Sequence, residues 1–458
     1  MTRVHFVGIG GAGMSGIARV LLARGTAVSG SDAKDSVALA SLRALGADVH
    51  VGHDPAQVRG ADVVVVSTAI RETNPELVAA RAAGIPVQRR AEALAELLIG
   101  YRAVAVAGTH GKTSTTSMLT VAAQHCGVDP SFAIGGDLNE AGSNAHHGSG
   151  DLFVVEADES DGSFLVYAPH AAIVTNVEPD HLDHHGTAEA YEQVFRDFVD
   201  TVTGFVVMSA DDPGARALAS YARGRGRGLD VHTYGTADDA DLRMLELVAS
   251  GGSSSYEAVL RGRRLGTVLL PVAGEHMARN SAAALLTGVH LGLPDSQLIE
   301  GLAGFSGVRR RMELKGSAAG IRVYDDYAHH PTEVRAQLEA ARGMTGGGRL
   351  IAVFQPHMYS RTATFADAFG SALALADEVV VMDVYGARED PVPGVTGGLV
   401  AAAVRLPAEH VLFEPSWTAV PDAVVSRAVA GDLVLTLGAG DVTQIGPEVL
   451  RLLEGGAE

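Results

Sequence analysis

The sequence is poor in cysteine and in lysine. Cys126 is the one cysteine among 458 residues, so an internal disulfide is excluded and a reducing compartment is expected. Only three lysines occur, at positions 34, 112 and 315, and the other basic residues are arginines. Lys112 lies inside a glycine-rich segment. Because lysine is rare in this chain, a lysine at that position is more informative than it would be in a lysine-rich sequence.

Basic charge and long apolar runs are also scarce. The formal net charge is -19 and the sequence pI is near 5.3, which argues against a nucleic-acid partner, because such partners need a basic face. No stretch approaches the roughly 18 uncharged apolar residues of a membrane span, so no membrane partner is expected. Glycines and arginines interrupt the apolar N-terminus, which argues against a signal peptide. We therefore expect a soluble, cytoplasmic protein.

The length and the order of predicted elements indicate an α/β protein of three domains. At roughly 150 residues per domain, 458 residues suggest about three. Short apolar and β-branched strands, among them those predicted at 4–9 and 350–354, alternate with helical patterns, and this order is typical of parallel sheets. A β-rich hairpin is predicted at 253–272, with its turn at 261–264. We place the domains at residues 1–100, 101–314 and 315–458.

The segment Gly108-Thr109-His110-Gly111-Lys112-Thr113 has the composition of a phosphate-binding loop. It follows a predicted strand and precedes a predicted helix, so backbone N–H groups and the helix dipole can converge on phosphate oxygens. Lys112 can reach the β- and γ-phosphates of ATP, and the Thr113 hydroxyl can bind Mg²⁺. The Walker A pattern is matched only in part, because Val106 stands where that pattern has glycine.

An acidic segment, Glu156-Ala-Asp-Glu-Ser-Asp161, comes directly after another predicted strand. A carboxylate at the carboxyl end of a strand, beside a phosphate loop, is well placed to hold Mg²⁺. Glu156 is the main candidate for this role. The weaker candidates are Asp158, Glu159 and Asp161.

A histidine-rich segment at 175–185 also follows a predicted strand. His181 is predicted to join Mg²⁺, either directly or through water. A zinc site is disfavoured, because no cysteine or HExxH pair supports one. His184 and His185 are interpreted as surface histidines without a role.

The N-terminal glycines fit the pattern GxGxxG, which runs from Gly8 to Gly13, and Asp32 follows 19 residues later. Read alone, this is the fingerprint of a dinucleotide-binding loop and would suggest NAD. The same geometry serves any pyrophosphate, so the pattern leaves the ligand open.

Two polar segments follow strands in the last third of the chain. They are Asp325-Asp-Tyr-Ala-His-His330-Pro-Thr and Gln355-Pro-His-Met-Tyr-Ser-Arg361-Thr. Both lie where α/β sheets place ligands, at the carboxyl ends of strands.

Taken together, these motifs resemble those of the Mur ligases. The resemblance covers nearly the whole chain and rests on GIGGAGMSGIA, GTHGKTSTT, EADESDGSF, TNVEPDHLDHH, GEHMARNSAAAL, GVRRRME, YDDYAHHPTEV and QPHMYSRT, in that order. It implies Rossmann-like N- and C-terminal domains around a P-loop-type, mixed-sheet ATPase domain. It also implies an ATP-dependent ligase that joins L-alanine to the lactyl carboxylate of UDP-N-acetylmuramate through an acyl phosphate. Mg²⁺ is the implied metal, Mn²⁺ can substitute for it, and the chain is expected to be a monomer or homodimer.

The resemblance also assigns residues to sites. It implies that ATP is bound by Gly108, Thr109, His110, Gly111, Lys112, Thr113, Ser114, His276, Asn280, Arg310 and Asp325. The implied UDP-sugar contacts are Gly10, Gly11, Ala12, Gly13, Met14, Ser15, Asp32, His53, Ser67 and Arg90. The implied metal ligands are Thr113, Glu156 and His181. The implied catalytic residues are Lys112, Glu156, His181, His330 and Arg361, with His330 and Arg361 facing the acyl substrate and the amino acid.

Two positions depart from the family pattern. Several Mur ligases carry a carbamylated lysine some 15 residues after the metal histidine, where this sequence has Phe195-Arg196-Asp197. Magnesium binding is therefore expected to be independent of CO₂. Relatives often have a basic residue at the position of Met358, and its absence places more weight on Arg361 for holding the substrate carboxylate.

Other functions remain as alternatives. The nearest is a recycling ligase that joins a whole tripeptide to the same UDP-sugar, although QPHMYSRT argues against it. Folylpolyglutamate synthase shares the phosphate loop but not the N-terminal glycine domain. An NAD-dependent oxidoreductase leaves the second phosphate loop unexplained, and a simple P-loop ATPase or kinase would release phosphate without an acceptor. Serine and glycine are small enough to compete with L-alanine.

Overall fold

The computed structural model describes residues 2–136, 138, 143–226, 228–387 and 389–455. These residues form two compact units. The first comprises Met1–Leu245, Ala258–Gly266 and Asn280–Leu302, and the second comprises Glu246–Glu257, Thr267–Arg279 and Ala303–Glu458.

The N-terminal part of the first unit is a five-stranded parallel sheet with the order β3-β2-β1-β4-β5. The strands are β1 Arg3–Val7, β2 Ala27–Asp32, β3 Asp48–Val51, β4 Val63–Val66 and β5 Val87–Arg89. The helices are α1 Ala12–Ala23, α2 Val37–Ala44, α3 Pro75–Ala82 and α4 Arg90–Leu98. The strand order reverses between β1 and β4, and a crevice for ligands opens at such a point.

The central sheet has ten strands in the order β15-β14-β13-β12-β11-β10-β6-β9-β7-β8. The strands are β6 Arg102–Ala107, β7 Ser131–Ala133, β8 Ala145–His146, β9 Leu152–Glu156, β10 Ala171–Val174, β11 Phe205–Ser209, β12 Asp230–Gly235, β13 Leu242–Ser250, β14 Ser253–Leu260 and β15 Arg263–Leu270. The helices are α5 Lys112–His125, α6 Leu182–His185, α7 Ala188–Thr201, α8 Pro213–Gly224, α9 Glu275–His290 and α10 Asp295–Ala303. Strand β6 runs parallel to both neighbours, β9 and β10, so their carboxyl ends meet at one edge.

The C-terminal sheet has six strands in the order β16-β17-β21-β18-β19-β20, and only the edge strand β16 is antiparallel to its neighbour. The strands are β16 Glu313–Ala318, β17 Ile321–Asp326, β18 Leu350–Phe354, β19 Glu378–Val381, β20 Val411–Phe413 and β21 Leu433–Leu437. The helices are α11 Pro331–Arg342, α12 Tyr359–Leu373, α13 Gly397–Ala403, α14 Val420–Arg427 and α15 Ile445–Gly455. Apolar clusters cover both faces of this sheet, which explains its nearly continuous runs of Val, Leu and Ile.

The predicted α/β class is confirmed, and the predicted elements differ from the observed ones mainly at their ends. Strand β1 stops at Val7, two residues before the predicted end, because Gly8 adopts a φ of +82°. The predicted domain start at residue 315 lies within β16, which begins at Glu313. Within the part of the chain that is described, no helix is long and apolar enough to cross a membrane.

Candidate active site

The phosphate loop joins β6 to α5 and requires glycine at two positions. Gly108 and Gly111 have φ values of +129° and +81°. A Cβ on Gly108 would overlap the Thr175 hydroxyl, and a Cβ on Gly111 would lie 2.6 Å from Oδ1 of Asn280. Helix α5 starts without a side-chain cap, so its first N–H groups are placed for an anion.

Side-chain bonds fix the backbone of this loop. The Thr109 hydroxyl donates to the carbonyl of Glu178 at 3.1 Å and lies 3.0 Å from the Tyr191 hydroxyl. The backbone N–H of His110 donates to Oδ1 of Asn176 at 2.8 Å. The loop is therefore held by the segment that follows β10, rather than only by its own turn.

Lys112 points back across the loop. Its ammonium donates to the carbonyls of Gly108 and Thr109 at 2.7 and 3.2 Å, and it lies 2.8 Å from Oε2 of Glu159. Burial lowers the pKa of Lys112, but Glu159 and Asp158 outweigh that effect and raise the pKa above its usual value. The side chain therefore carries its positive charge at neutral pH.

Thr113 and Glu156 bring two oxygen ligands together. The Thr113 hydroxyl lies 3.2 and 3.0 Å from the two carboxylate oxygens of Glu156. The backbone N–H of Gly135 also donates to Oε2 of Glu156 at 2.7 Å. A hydroxyl and a carboxylate on neighbouring elements are the kind of oxygen donors that suit Mg²⁺.

The two acidic residues that follow Glu156 face different partners. Asp158 accepts a charged bond from Arg90 at 3.0 Å; burial raises its pKa, but Arg90 and Lys112 outweigh this and lower the pKa to about 2. Glu159 is 1% exposed, and burial raises its pKa to about 7 although Lys112 opposes the rise.

His181 lies on the other side of Glu159. It adopts a φ of +51° just before α6, and its Nε2 lies 3.9 Å from Oε1 of Glu159 and 3.5 Å from Oδ2 of Asp180. His185, which was interpreted as a surface histidine without a role, is half-buried, and its Nε2 donates to the carbonyl of Glu159 at 3.0 Å. The structure thus gathers His181 and the acidic segment around the phosphate loop.

The N-terminal glycine loop packs against two of its predicted neighbours. Gly10 N–H donates to Oδ2 of Asp32 at 2.9 Å, and a Cβ on Gly13 would lie 2.7 Å from the Arg90 guanidinium. The side chains of Met14 and Ser15 are buried, so these two residues can offer a ligand little more than backbone N–H groups. Helix α1 begins without a side-chain cap hydrogen bond, as α5 does.

His53 belongs to a buried polar network that the sequence did not indicate. Its Nδ1 lies 2.9 Å from the Ser31 hydroxyl and 3.3 Å from Oε2 of Glu76. Glu76 is fully buried, and His5 lies 3.8 Å from the same carboxylate oxygen. Ser67 follows β4, and its carbonyl accepts from the N–H of Ile70.

In the second unit, the structure brings together Arg310 and Asp325, which were predicted as nucleotide contacts. The Arg310 guanidinium lies 3.3 Å from Oδ2 of Asp325 and donates to the carbonyl of Gly438 at 2.7 Å. Asp325 is fully buried and also accepts from the hydroxyls of Thr436 and Thr443, both at 2.7 Å. This carboxylate therefore holds the arginine at the carboxyl ends of β17 and β21.

The residues of the second unit that were predicted to face the acyl substrate and the amino acid are buried. His330 caps α11, with its Nδ1 accepting from the N–H of Thr332 at 3.4 Å. Arg361 is only 6% exposed and donates to Nδ1 of His357 at 3.5 Å. Met358 is buried with a φ of +68°, so its side chain fills space beside α12.

His276 lies in the first turn of α9, the helix that also carries Asn280. Burial, and then the positive charge of Arg311, lower the pKa of His276 to about 4. The imidazole is therefore neutral at neutral pH. Within the described residues its Nε2 has no hydrogen-bond partner, which leaves that atom available to a ligand.

Comparison with known proteins agrees with this geometry. Three family profiles match the chain in sequence: the Mur ligase family catalytic domain at 3–102, the Mur ligase middle domain at 106–288, and the Mur ligase glutamate ligase domain at 310–440. The chain belongs to the Mur ligase family. The predicted resemblance and the three-domain organisation are thereby confirmed, while the domain ends remain predictions.

The relatives of this Mur ligase match it over almost its whole length. A UDP-N-acetylmuramate–L-alanine ligase from Saccharopolyspora erythraea is 61% identical, covering 99% of this chain and 94% of its own. One of the same name from Acidothermus cellulolyticus is 56% identical, with 98% and 95% covered. The crystal structure of the Thermotoga maritima UDP-N-acetylmuramate–alanine ligase has a TM-score of 0.85 at 28% identity, with both chains fully covered. A murein peptide ligase from Psychrobacter arcticus has a TM-score of 0.73 at 25% identity, with 99% of each chain covered.

Several predicted residues have partners that the sequence does not indicate. Glu159 is the ion-pair partner of Lys112, although the sequence favours Glu156, and no sequence pattern points to Glu76 as a partner of His53. The signal for Glu159 was its presence in the acidic segment, but no sequence pattern distinguishes an exposed acid there from a buried one. Phe195 is fully buried in α7 and Arg196 pairs with Glu192 on the exposed face, so neither replaces a carbamylated lysine.

Proposed function

We propose that this Mur ligase joins L-alanine to the lactyl carboxylate of UDP-N-acetylmuramate and converts ATP to ADP and phosphate. The observation that carries the proposal is the identity of 52–61% to ligases of that name over at least 98% of the chain. The phosphate loop with its charged Lys112 supports the ATP dependence independently of the relatives.

The chemistry explains why such a loop is needed. A carboxylate does not react with an amine at neutral pH, so it must first gain a leaving group. The lactyl carboxylate oxygen attacks the γ-phosphorus of ATP, the bond to the β-phosphate oxygen breaks, and an acyl phosphate and ADP result. The amine of L-alanine then adds to the acyl carbon, loses a proton, and expels phosphate as the amide forms.

Two anions must approach each other in the first step, so positive charge and oriented dipoles have to offset their repulsion. Lys112 supplies the charge, and the uncapped start of α5 supplies N–H groups. The Thr113 hydroxyl and the Glu156 carboxylate would hold Mg²⁺, with His181 as a further ligand. Bound there, Mg²⁺ would neutralise the charge on the β- and γ-phosphates.

The resemblance to other Mur ligases supports the assignment of the remaining predicted residues to substrates. The N–H groups at the start of α1 and the Arg90 guanidinium bind the diphosphate of the UDP-sugar, and Asp32, His53 and Ser67 contact the rest of that ligand. His276 and Asn280 bind the base and ribose of ATP, and Arg310 and Asp325 bind it from the C-terminal domain. His330 and Arg361 face the acyl group and the incoming amino acid.

The direct test is the product. Incubation with ATP, Mg²⁺, UDP-N-acetylmuramate and L-alanine is expected to give one ADP and one phosphate for each amide bond. Phosphate release without formation of the amide would overturn the proposal.

A further inference from the structure

The buried ion pair between Lys112 and Glu159 joins the phosphate loop to the acidic segment. The two side chains are 15% and 1% exposed, and Nζ lies 2.8 Å from Oε2. A charge pair taken so far out of water is costly unless its geometry and its other bonds are well satisfied. Its presence beside the loop therefore calls for an explanation beyond stability.

The Lys112 ammonium has three close oxygen neighbours. It donates hydrogen bonds to two carbonyls of the loop itself, those of Gly108 and Thr109, and it forms an ion pair with Glu159. With the loop carbonyls as its only partners, the ammonium could lie on either side of the loop. The negatively charged Glu159 carboxylate attracts it to one side, and this attraction fixes the position of the ammonium.

Glu159 is itself held in place from two sides. The Tyr191 hydroxyl donates to its Oε1 at 3.5 Å, and His185 donates to its backbone carbonyl at 3.0 Å. Tyr191 also lies 3.0 Å from the Thr109 hydroxyl, so the same ring contacts both the carboxylate and the phosphate loop. The carboxylate is therefore a fixed point against which Lys112 is oriented.

We propose that Glu159 is a positioning residue that acts through Lys112, holding its ammonium where it meets the γ-phosphate of ATP. This inference rests on the proposed function, because it assumes that Lys112 acts on ATP. Glu159 then needs no contact with ATP, with Mg²⁺ or with the UDP-sugar.

The test compares Glu159→Gln and Lys112→Met, singly and together. Glu159→Gln keeps the shape of the side chain and removes its charge, so it is expected to lower kcat/KM for ATP at least tenfold. In the K112M background the same change is expected to alter kcat/KM by less than twofold, since Glu159 has lost the group through which it acts. Single-turnover phosphate release with excess enzyme measures the slow variants. The affinities of the same variants for a fluorescent ATP analogue give a second double-mutant cycle that does not depend on turnover. The two changes are expected to be non-additive in the free energy of binding as well.

A matched control is Glu192→Gln, which makes the same chemical change on the exposed face of helix α7. Glu192 lies 3.3 Å from the Arg196 guanidinium on that face and is not among the residues that contact Lys112. This variant is expected to stay within twofold of wild type. The Mg²⁺ concentration for half-maximal rate is expected to be the same in Glu159→Gln and wild type.

Three results would overturn the inference. Glu159→Gln could have the same kcat/KM for ATP as wild type. The losses of kcat/KM caused by Glu159→Gln and Lys112→Met could multiply in the double variant. Glu159→Gln could also raise the Mg²⁺ concentration for half-maximal rate, which would make Glu159 a metal ligand. A wild-type chain that forms no amide product would instead contradict the proposed function, so the two failures are distinct.

Discussion

The Thr113 hydroxyl lies 3.0 Å from Oε2 of Glu156, so the first turn of α5 and the last residue of β9 share one oxygen-lined position. If that position holds Mg²⁺, removing the hydroxyl removes a ligand. Thr113→Val is expected to lower kcat at least tenfold and to raise the Mg²⁺ concentration that gives half-maximal rate. Thr113→Ser keeps the oxygen and is expected to stay within a few fold of wild type. Equal activity of the two variants across a Mg²⁺ titration would refute the assignment.

The contact between Gly111 and Asn280 leads to a second prediction. Gly111→Ala places a methyl group 2.6 Å from Oδ1 of Asn280 in a left-handed backbone, so it is expected to abolish measurable ATP binding. Gly127→Ala is the matched control, because its φ of +77° is similar and a Cβ there meets nothing within 4 Å. The control is expected to cost about 1 kcal/mol of stability and to leave ATP affinity unchanged. Calorimetric titration with ATP measures the affinity of both variants, and thermal unfolding measures their stability.

Arg90 is expected to serve the UDP-sugar rather than ATP. Its guanidinium lies beside Gly13 and is held by Asp158. Arg90→Ala is therefore expected to raise KM for UDP-N-acetylmuramate at least tenfold, with KM for ATP changed less than threefold. The neighbouring Arg89→Ala, which removes an exposed arginine, is the control and should alter neither value. A loss that falls mainly on ATP would show that Arg90 has been placed in the wrong site.

The stacked imidazoles of His232 and His290 predict a loss of stability in acid. Their ring centroids are 3.5 Å apart, and burial, followed by His290, lowers the pKa of His232 to about 4. An unfolded histidine titrates near 6.5, so between about pH 6.5 and 4 the unfolded chain binds a proton that the folded chain excludes. Stability should therefore fall as pH falls through this window and level off below it.

The size of this effect is on the order of 2 kcal/mol between pH 7 and 4.5. Urea unfolding of His232→Gln at both pH values is expected to show a smaller difference than wild type. The exposed His50→Gln is the control and should behave like wild type. An unchanged pH dependence in His232→Gln would rule out the stacked pair as the cause.

The sequence predicted those parts of the fold and site that depend on local pattern. The strand at Leu350–Phe354 was predicted residue for residue, because a buried parallel strand is a continuous apolar run with polar ends. The loop from Gly108 to Thr113 was predicted for a similar reason, since strand, glycines, lysine and helix follow one another in the chain.

Contacts between distant segments could not be predicted in this way. Lys112 and Glu159 are 47 residues apart, and no periodicity relates them. The same holds for His53, which follows β3, and Glu76, which lies in α3, because the two residues meet only in the folded N-terminal sheet and its helices. The cap role of His330 was missed because Asp, Asn, Ser and Thr are the usual caps and histidine is not.

The central claim is that phosphate release is coupled to amide formation with one amino acid. The most direct measurement is the initial rate of phosphate release with ATP, Mg²⁺ and UDP-N-acetylmuramate, using L-alanine, L-serine, glycine, the tripeptide or no acceptor. We predict that steady phosphate release requires both the UDP-sugar and an acceptor, and that L-alanine gives the highest kcat/KM. Release at the same rate without an acceptor, or a clear preference for the tripeptide, would contradict the account.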